Sequence, residues 1–339
     1  MKYLLRLSAL LVVLMLVVAC GDDDGDDAGS GDGAGGSPAE TPADSAGGGG
    51  EEDMAALDGV SLTVSGKEFT EQLILGQILV KTLENAGADV NDQTAIFGSD
   101  NTRTALESGD VDMYWEYTGT AWSVHLGREI DEAPGDPVEL YQAVKAGDLE
   151  ENGIVWLDMT EVNNPYALGI LRSRAEEMGI STISDYAEIA NTNPEGATLC
   201  GATEWLTRDD GFPALAADYG FELPDQYLAE VEFSIIPSQV VSGDTCIFGE
   251  FFGTDGTIAA NDILILEDDL NSFFAYNNAL TVRGETYDEY GEALEAIFGP
   301  ISAALTSEVM RELNSRVDAD GEDPAAVAES WLQENGFIS

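Results

Sequence analysis

Two short runs hold the side chains of this chain that could do chemistry, Ser65-Gly-Lys-Glu-Phe-Thr-Glu-Gln72 and Asp110-Val-Asp-Met-Tyr-Trp-Glu-Tyr-Thr-Gly-Thr120. In the first, a strand-like stretch ends in Lys67 and a capping Thr70 before an apolar-periodic helix. In the second, a strand-like stretch ends in aromatics and a Thr-Gly-Thr turn. Side chains at strand C-terminal ends and first helical turns are where open α/β sheets bind ligands. Aromatic faces and one cation meeting there suit a small, partly charged ligand better than a reaction. The reactive inventory agrees. His125 is the single histidine, which by itself makes neither a Ser-His-Asp site nor a multi-histidine metal site. It follows Trp122-Ser-Val on a helical stretch and reads as packed or solvent-facing. A carboxylate-pair hydrolase stays open by counting, but among 65 Asp and Glu no pair stands out. No metal and no cofactor are expected.

Positioning these runs requires strands alternating with helices. Strands are expected at Val60–Ser65, near Ala95–Phe97, at Val111–Tyr114 and at Ile154–Leu157. Between them, Leu73, Ile74, Ile78 and Leu79 share one face of a helix over 70–86, and further helices are expected over 101–108 and 138–151. Such alternation implies a mainly parallel sheet covered on both sides. At Asn163-Asn164-Pro165 the pattern breaks. A second series begins with Tyr166–Leu171 and continues through a strand containing Cys200, a helix over 210–219, strands at Glu232–Ile236 and around Cys246, and a last strand at Ile263–Leu266. Three helices follow, over 286–298, 307–316 and 324–335, with Pro324 suited to a first helical position and Gly336 to a C-cap. The folded part, about 280 residues, is natural for two lobes. The expected organisation is a lobe I part over 58–162, lobe II over 163–276 and a C-terminal return to lobe I over 277–339.

The N-terminus reads as export machinery. Lys2 and Arg6 precede an apolar run from Leu7 to Ala19, too short for a spanning helix of about 20 residues. Val17-Val18-Ala19-Cys20 resembles a bacterial lipobox, in which cleavage after residue 19 leaves Cys20 lipid-modified. Residues 20–57, dominated by Gly and Asp, cannot bury apolar surface and read as a disordered acidic tether. The expected location is outside the cytoplasm, lipid-anchored to the outer face of the membrane or periplasmic. With Lys2 and Arg6 set aside, eleven Lys and Arg face 65 Asp and Glu. That excess excludes nucleic acid as a partner, and its spread along the chain is that of proteins hydrated in strong salt. Cys200 and Cys246 are an even pair in an exported domain, open to a disulfide or to two buried thiols. A bridge closing that separation adds roughly 4 kcal/mol on the chain-entropy model.

Six strings follow one another across both series: Gly66-Lys-Glu-Phe-Thr-Glu-Gln72, Glu116-Tyr-Thr-Gly-Thr120, Asn163-Asn-Pro-Tyr-Ala-Leu168, Glu204-Trp-Leu-Thr-Arg-Asp-Asp-Gly211, Phe252-Gly-Thr-Asp-Gly256, and Leu266-Glu-Asp-Asp269 with Phe273-Phe-Ala-Tyr-Asn277. In this order they make the chain resemble, over residues 60–338, the substrate-binding lipoproteins of osmoprotectant ABC importers, which take up glycine betaine, choline, carnitine and related quaternary amines. The resemblance implies the α/β type II periplasmic-binding-protein fold, two lobes with a ligand cleft between them. The two crossovers are expected near Thr160–Pro165 and Phe274–Thr281. It also implies delivery of the solute to a membrane permease with its cytoplasmic ATPase, and no enzymatic activity.

A trimethylammonium group has no N–H to donate, so aromatic faces must hold it, their quadrupoles attracting the charge while their surface accepts the methyl groups. By motif match the cage is Tyr117, Tyr166, Phe252 and Tyr276. Family members often carry Tyr at the place of Phe252, where Phe keeps the π face and loses the hydroxyl; Phe251 competes for the role. Trp115, Trp122 and Trp205 flank the motifs as cleft walls or packing. For a ligand carboxylate the match offers Lys67, Thr120 and Arg208. Surface ion pairing is the plainer alternative for the two cations, and Arg208 can pair with Glu204 one helical turn earlier. If both face the pocket, a zwitterion such as glycine betaine is favoured over choline. An amino acid or polyamine receptor of the same fold would instead want a dedicated Asp or a carboxylate-lined cleft. For an adhesive lipoprotein the motifs would have no use.

Overall fold

The computed structural model describes residues 56–339. The expected signal peptide, Cys20 and the expected tether up to residue 55 lie outside the described residues. Ten strands are described: β1 (Ser61–Lys67), β2 (Asp89–Ile96), β3 (Met113–Tyr117), β4 (Ile154–Asn163), β5 (Tyr166–Leu171), β6 (Leu199–Gly201), β7 (Leu228–Glu230), β8 (Phe248–Phe252), β9 (Ile263–Ile265) and β10 (Asn277–Arg283). They form two five-stranded sheets, ordered β2-β1-β3-β10-β4 and β7-β6-β8-β5-β9. The described residues therefore form two lobes, and the chain passes between the sheets twice, from β4 to β5 and from β9 to β10.

One strand in each sheet runs against its neighbours. β10 pairs antiparallel with β3 and β4, and β5 pairs antiparallel with β8 and β9. Each is the strand entered directly from the other sheet. A strand reached through a helix on its own lobe starts at the far edge and ends at the gap between the sheets; one reached by a crossover starts at the gap. The ends of β1, β3 and β8 and the starts of β5 and β10 are thus brought to one place.

Helix Thr70–Asn85 buries Ile74, Leu75, Ile78, Leu79 and Leu83 at the 3–4 residue spacing of one helical face. Their core also takes in Leu57 and Val64, and the C-terminal helices add Phe298, Leu313, Trp331 and Leu332 to it. A second core, around Leu168, Tyr186, Leu199 and Phe248, underlies the second sheet. Cys200 on β6 and Cys246, just before β8, are joined by a disulfide with Cα atoms 5.6 Å apart.

Several local readings are corrected. Thr70 is not the N-cap: Phe69 holds that position in extended conformation without a side-chain cap, and the Thr70 hydroxyl donates to Asp318 at 2.5 Å. A carboxylate from a helix distant in sequence outcompetes the local bond. Glu232–Ile236 is not a strand; Phe233–Ile235 is a 3₁₀ turn leading into helix Ile236–Ser242, with Pro237 in its first turn. Cys246 precedes its strand, and Asp210 lies before its helix, which spans Phe212–Asp218. Gly336 falls one residue past the C-cap, Asn335, with φ at 73°.

Candidate ligand-binding cleft

A cavity of about 700 Å³ opens between the two sheets. Its lining includes every cleft residue anticipated from the sequence: Lys67, Tyr117, Thr120, Tyr166, Arg208, Phe252 and Tyr276. The topology explains why. Lys67, Tyr117 and Phe252 end β1, β3 and β8, Tyr166 opens β5, and Tyr276 immediately precedes β10.

The rings form a continuous wall. Tyr166 faces Phe252 across the β5–β8 ladder, with centroids 5.4 Å apart, and meets Tyr276 edge-on at 5.6 Å. Side chains alternate along a strand, so only one of Phe251 and Phe252 can reach the cavity. It is Phe252; Phe251 is fully buried on the opposite face with Ile236 and Val240. Phe69 bridges the lobes, 5.1 Å from Phe252 and 6.2 Å from Tyr117. Phe233 adds a further ring 4.7 Å from Phe252. Sequence reasoning missed both. Phe69 was legible in principle, since it lies inside the first motif at the start of a helix. Phe233 was hidden by reading its segment as a strand. The wall leaves no room for a side chain at residue 119: a Cβ on Gly119 would lie 2.5 Å from the Tyr276 ring.

Trp115 and Trp205 are fully buried behind the lining, Trp115 against Phe298 and Trp205 against Tyr166. Trp122 donates its indole N–H to the Glu129 carbonyl. None of the three lines the cavity.

Both cations are already engaged. Lys67 Nζ lies 2.6 Å from Glu116 Oε1 and 5.2 Å from the centre of the Tyr117 ring. Glu116 further accepts from the Tyr114 hydroxyl at 2.8 Å and the Tyr117 N–H at 2.7 Å, and lies 2.8 Å from His125 Nε2. Burial pushes the Glu116 carboxyl up, yet Lys67 and His125 together hold it well below the usual carboxylate range. His125 is thereby a buried partner of Glu116, away from solvent. Arg208 does pair with Glu204, at 2.8 Å, and also with Asp210, at 2.7 and 2.5 Å. Its guanidinium sits 5.6 Å from the centre of the Tyr166 ring, and one of its N–H groups reaches Thr120 Oγ1 at 3.5 Å. Asp210 also accepts from the hydroxyls of Tyr276 and Ser123. Burial raises the Asp210 carboxyl, but Arg208 outweighs it and the net shift is downward.

Acidic residues crowd the rest of the lining. Glu68, Glu71, Glu230, Glu232, Glu250, Asp255 and Asp318 join Glu204 there. Glu71 ties the two lobes, accepting from Tyr117 Oη at 2.8 Å, Asn164 Nδ2 at 3.1 Å, the Thr254 hydroxyl and Asn314 Nδ2. Burial still raises its carboxyl above the ordinary value despite those donors. No single one of these acids could be picked out of so acidic a sequence. Chemically, the cleft offers π faces and carboxylates to a cation and two pre-paired cations to an anion.

The model of the substrate-binding domain of ABC-type glycine betaine transport systems matches residues 60–334. The glycine-betaine-binding protein of Pseudomonas aeruginosa is 33% identical over 285 residues, 82% of this chain and 89% of that protein. The ergothioneine transport permease/ergothioneine binding protein of Helicobacter pylori is 29% identical over 83% of this chain and 49% of its own length. Among solved structures, a glycine betaine/carnitine/choline ABC transporter protein superposes with a TM-score of 0.65 at 21% identity, covering 82% of this chain and 100% of that one, a likeness of fold.

Proposed function

This chain belongs to the family of substrate-binding domains of ABC-type glycine betaine transport systems, the extracytoplasmic solute-binding components of osmoprotectant importers and not enzymes, and on that premise we propose that it captures a quaternary-amine solute, glycine betaine first among them. In this reading Tyr117, Tyr166, Phe252 and Tyr276, with Phe69 and Phe233, receive the onium head. Thr120, Lys67 and Arg208 receive a carboxylate at the other end. The lobes close on the solute and present it to the permease. What supports the reading is that rings from both sheets line a single cavity together with two of the chain's few cations. A methylated ammonium has no hydrogen bond to give, and π faces are the protein surface that attracts it.

One observation favours a second reading, choline or another amine without a carboxylate. Lys67 is neutralised by Glu116, and Arg208 by Glu204 and Asp210, so a ligand carboxylate must compete with those acids. Calorimetric titration of the purified folded domain with glycine betaine, proline betaine, carnitine, choline, ectoine and spermidine separates the possibilities. Tight binding of a methylated amine with no response to spermidine is expected. Preference for spermidine, or no binding across the panel, removes the quaternary-amine reading. Lipid anchoring through Cys20 is part of the proposal. Fatty-acid labelling of cells expressing the full chain should mark the wild type and not Cys20→Ser; equal labelling of both would remove it.

A further inference from the structure

The carboxylates of the cleft lining are not equally occupied. Glu71 takes four donors. Glu204 takes Arg208 and the Ser99 N–H, and Asp255 takes the N–H and hydroxyl of Thr257. Asp318 takes the Thr70 hydroxyl and the Gly256 N–H. Glu68, Glu230 and Glu232 take at most one such donor each but are half-buried or exposed; Glu250 stands apart as a buried carboxyl. It is 2% exposed, its Oε2 accepts from the Ala202 N–H at 2.7 Å, and its Oε1 has no hydrogen-bond partner among the described residues. It lies on β8 two residues before Phe252, on the same strand face, and both line the cavity. A buried carboxyl with one donor is costly to keep, and buried charges are normally paired; this one belongs to a side chain that lines the cavity.

We propose that Glu250 is the counter-charge for the ligand's onium head, its Oε1 facing the cation held against the Tyr166 and Phe252 rings, and that it determines specificity for cationic head groups. The proposal rests on the quaternary-amine reading of the cleft. It carries a consequence that packing alone does not. In the empty cleft burial pushes the Glu250 carboxyl up to about 8, with the Ala202 N–H opposing, Glu204 and Asp255 adding to the rise and Arg208 countering it. Tyr166 on β5, Glu230 on β7 and Glu232 just after it also line that side of the cavity. Near neutral pH the free carboxyl therefore holds its proton. An onium head brought to Oε1 favours the carboxylate, so the proton leaves as the cation enters. Affinity then rises with pH until about 8 and levels off above it, and for one linked proton the slope is at most about tenfold per pH unit.

Choline and glycine betaine have no group that titrates near neutrality, so any proton released on binding comes from the protein. The test is titration calorimetry near neutral pH in buffers of different ionisation enthalpy, repeated across the pH range on either side of neutrality. The expected result is release of a fraction of a proton per ligand and severalfold tighter binding at the alkaline end. Glu250→Gln should lose both, while Asp255→Asn, which removes only one contributor to the rise, should still release a proton. Absence of proton release in the wild type overturns the proposal, as does release that persists in Glu250→Gln or disappears only in Asp255→Asn. Because the wild-type measurement needs no variant, a folding defect in Glu250→Gln does not rescue the idea. Failure of every amine to bind removes the functional reading as well; binding without proton exchange removes only the role of Glu250.

Discussion

Two buried glutamates, one in each sheet, sit in similar places and experience opposite fields. Glu116 is the penultimate residue of β3, beside Tyr117, and Glu250 lies on β8, two before Phe252. Both are essentially inaccessible to solvent. Glu116 is met by Lys67, His125, a tyrosine hydroxyl and a backbone N–H, and stays far below the usual carboxylate range. Glu250 is met by one backbone N–H and is pushed up to about 8. Burial penalises the charge of both, and the partners set the sign. The first-sheet side of the cleft is thus electrostatically complete before any solute arrives, and the second-sheet side is not.

The largest effect expected from breaking this contrast is on stability. Lys67→Met leaves Glu116 without its ammonium in a dry site, and such losses cost about 3–5 kcal/mol. Urea denaturation at neutral pH measures it; a change within the error of the method would mean that the pair does not anchor this side. Glu250→Gln, by contrast, should raise stability above pH 8, the value to which its carboxyl is pushed.

Next in size is the charged end of the ligand. Arg208→Ala should weaken glycine betaine by about 1.5–3 kcal/mol, the range for a hydrogen bond to a charged group, and choline much less. Equal losses for both would detach Arg208 from the ligand carboxylate. Removing a ring comes third: Tyr117→Ala or Tyr166→Ala should each cost about 1–2 kcal/mol of binding as a desolvated cation loses a π face. Wild-type affinity in both variants would end the cage reading.

The remaining contrast is the pH dependence of the unliganded protein, and its sign differs between the two glutamates. Glu116 is depressed in the folded state, so its contribution is present above the ordinary carboxylate range and is lost as pH falls below it. Glu250 is raised, so the folded state binds the extra proton between the ordinary Glu value of 4.5 and about 8. Stability must therefore fall as pH rises through that window. Asp255, raised to about 6, acts in the same direction at lower pH, and Glu71, also raised, acts with the same sign. Melting temperatures of the ligand-free protein should decline from about pH 5 to pH 8, and Glu250→Gln should flatten the upper part. An unchanged slope in that variant would move the titration elsewhere.

Local signals were legible where neighbours along the chain supply the physics. Tyr166–Leu171 reads as a strand and is one, and the apolar spacing of Ile74, Ile78 and Leu79 marks the helix that covers the first sheet. The motif ends at Lys67, Tyr117 and Phe252 point to a cleft because strand ends are where α/β sheets open. Legibility failed where a distant group intervened. Asp318, in sequence far from Thr70, takes the hydroxyl that a helix cap would have used. Phe233 alternates with polar residues as a strand would, yet its segment turns onto Phe252 and into a helix beginning just before Pro237.

By itself the sequence determined the alternation of elements, the two lobes, and the set of rings and cations available to meet a solute, because periodicity, glycine and proline act over a few residues. Only the tertiary structure decided which of 65 acids matter. It paired Glu116 with Lys67, closed Glu204 and Asp210 on Arg208, knotted Glu71 between the lobes and left one oxygen of Glu250 open. The reason is that a carboxylate's character depends on burial and on neighbours within a few ångströms, and those neighbours come from strands and helices far apart along the chain.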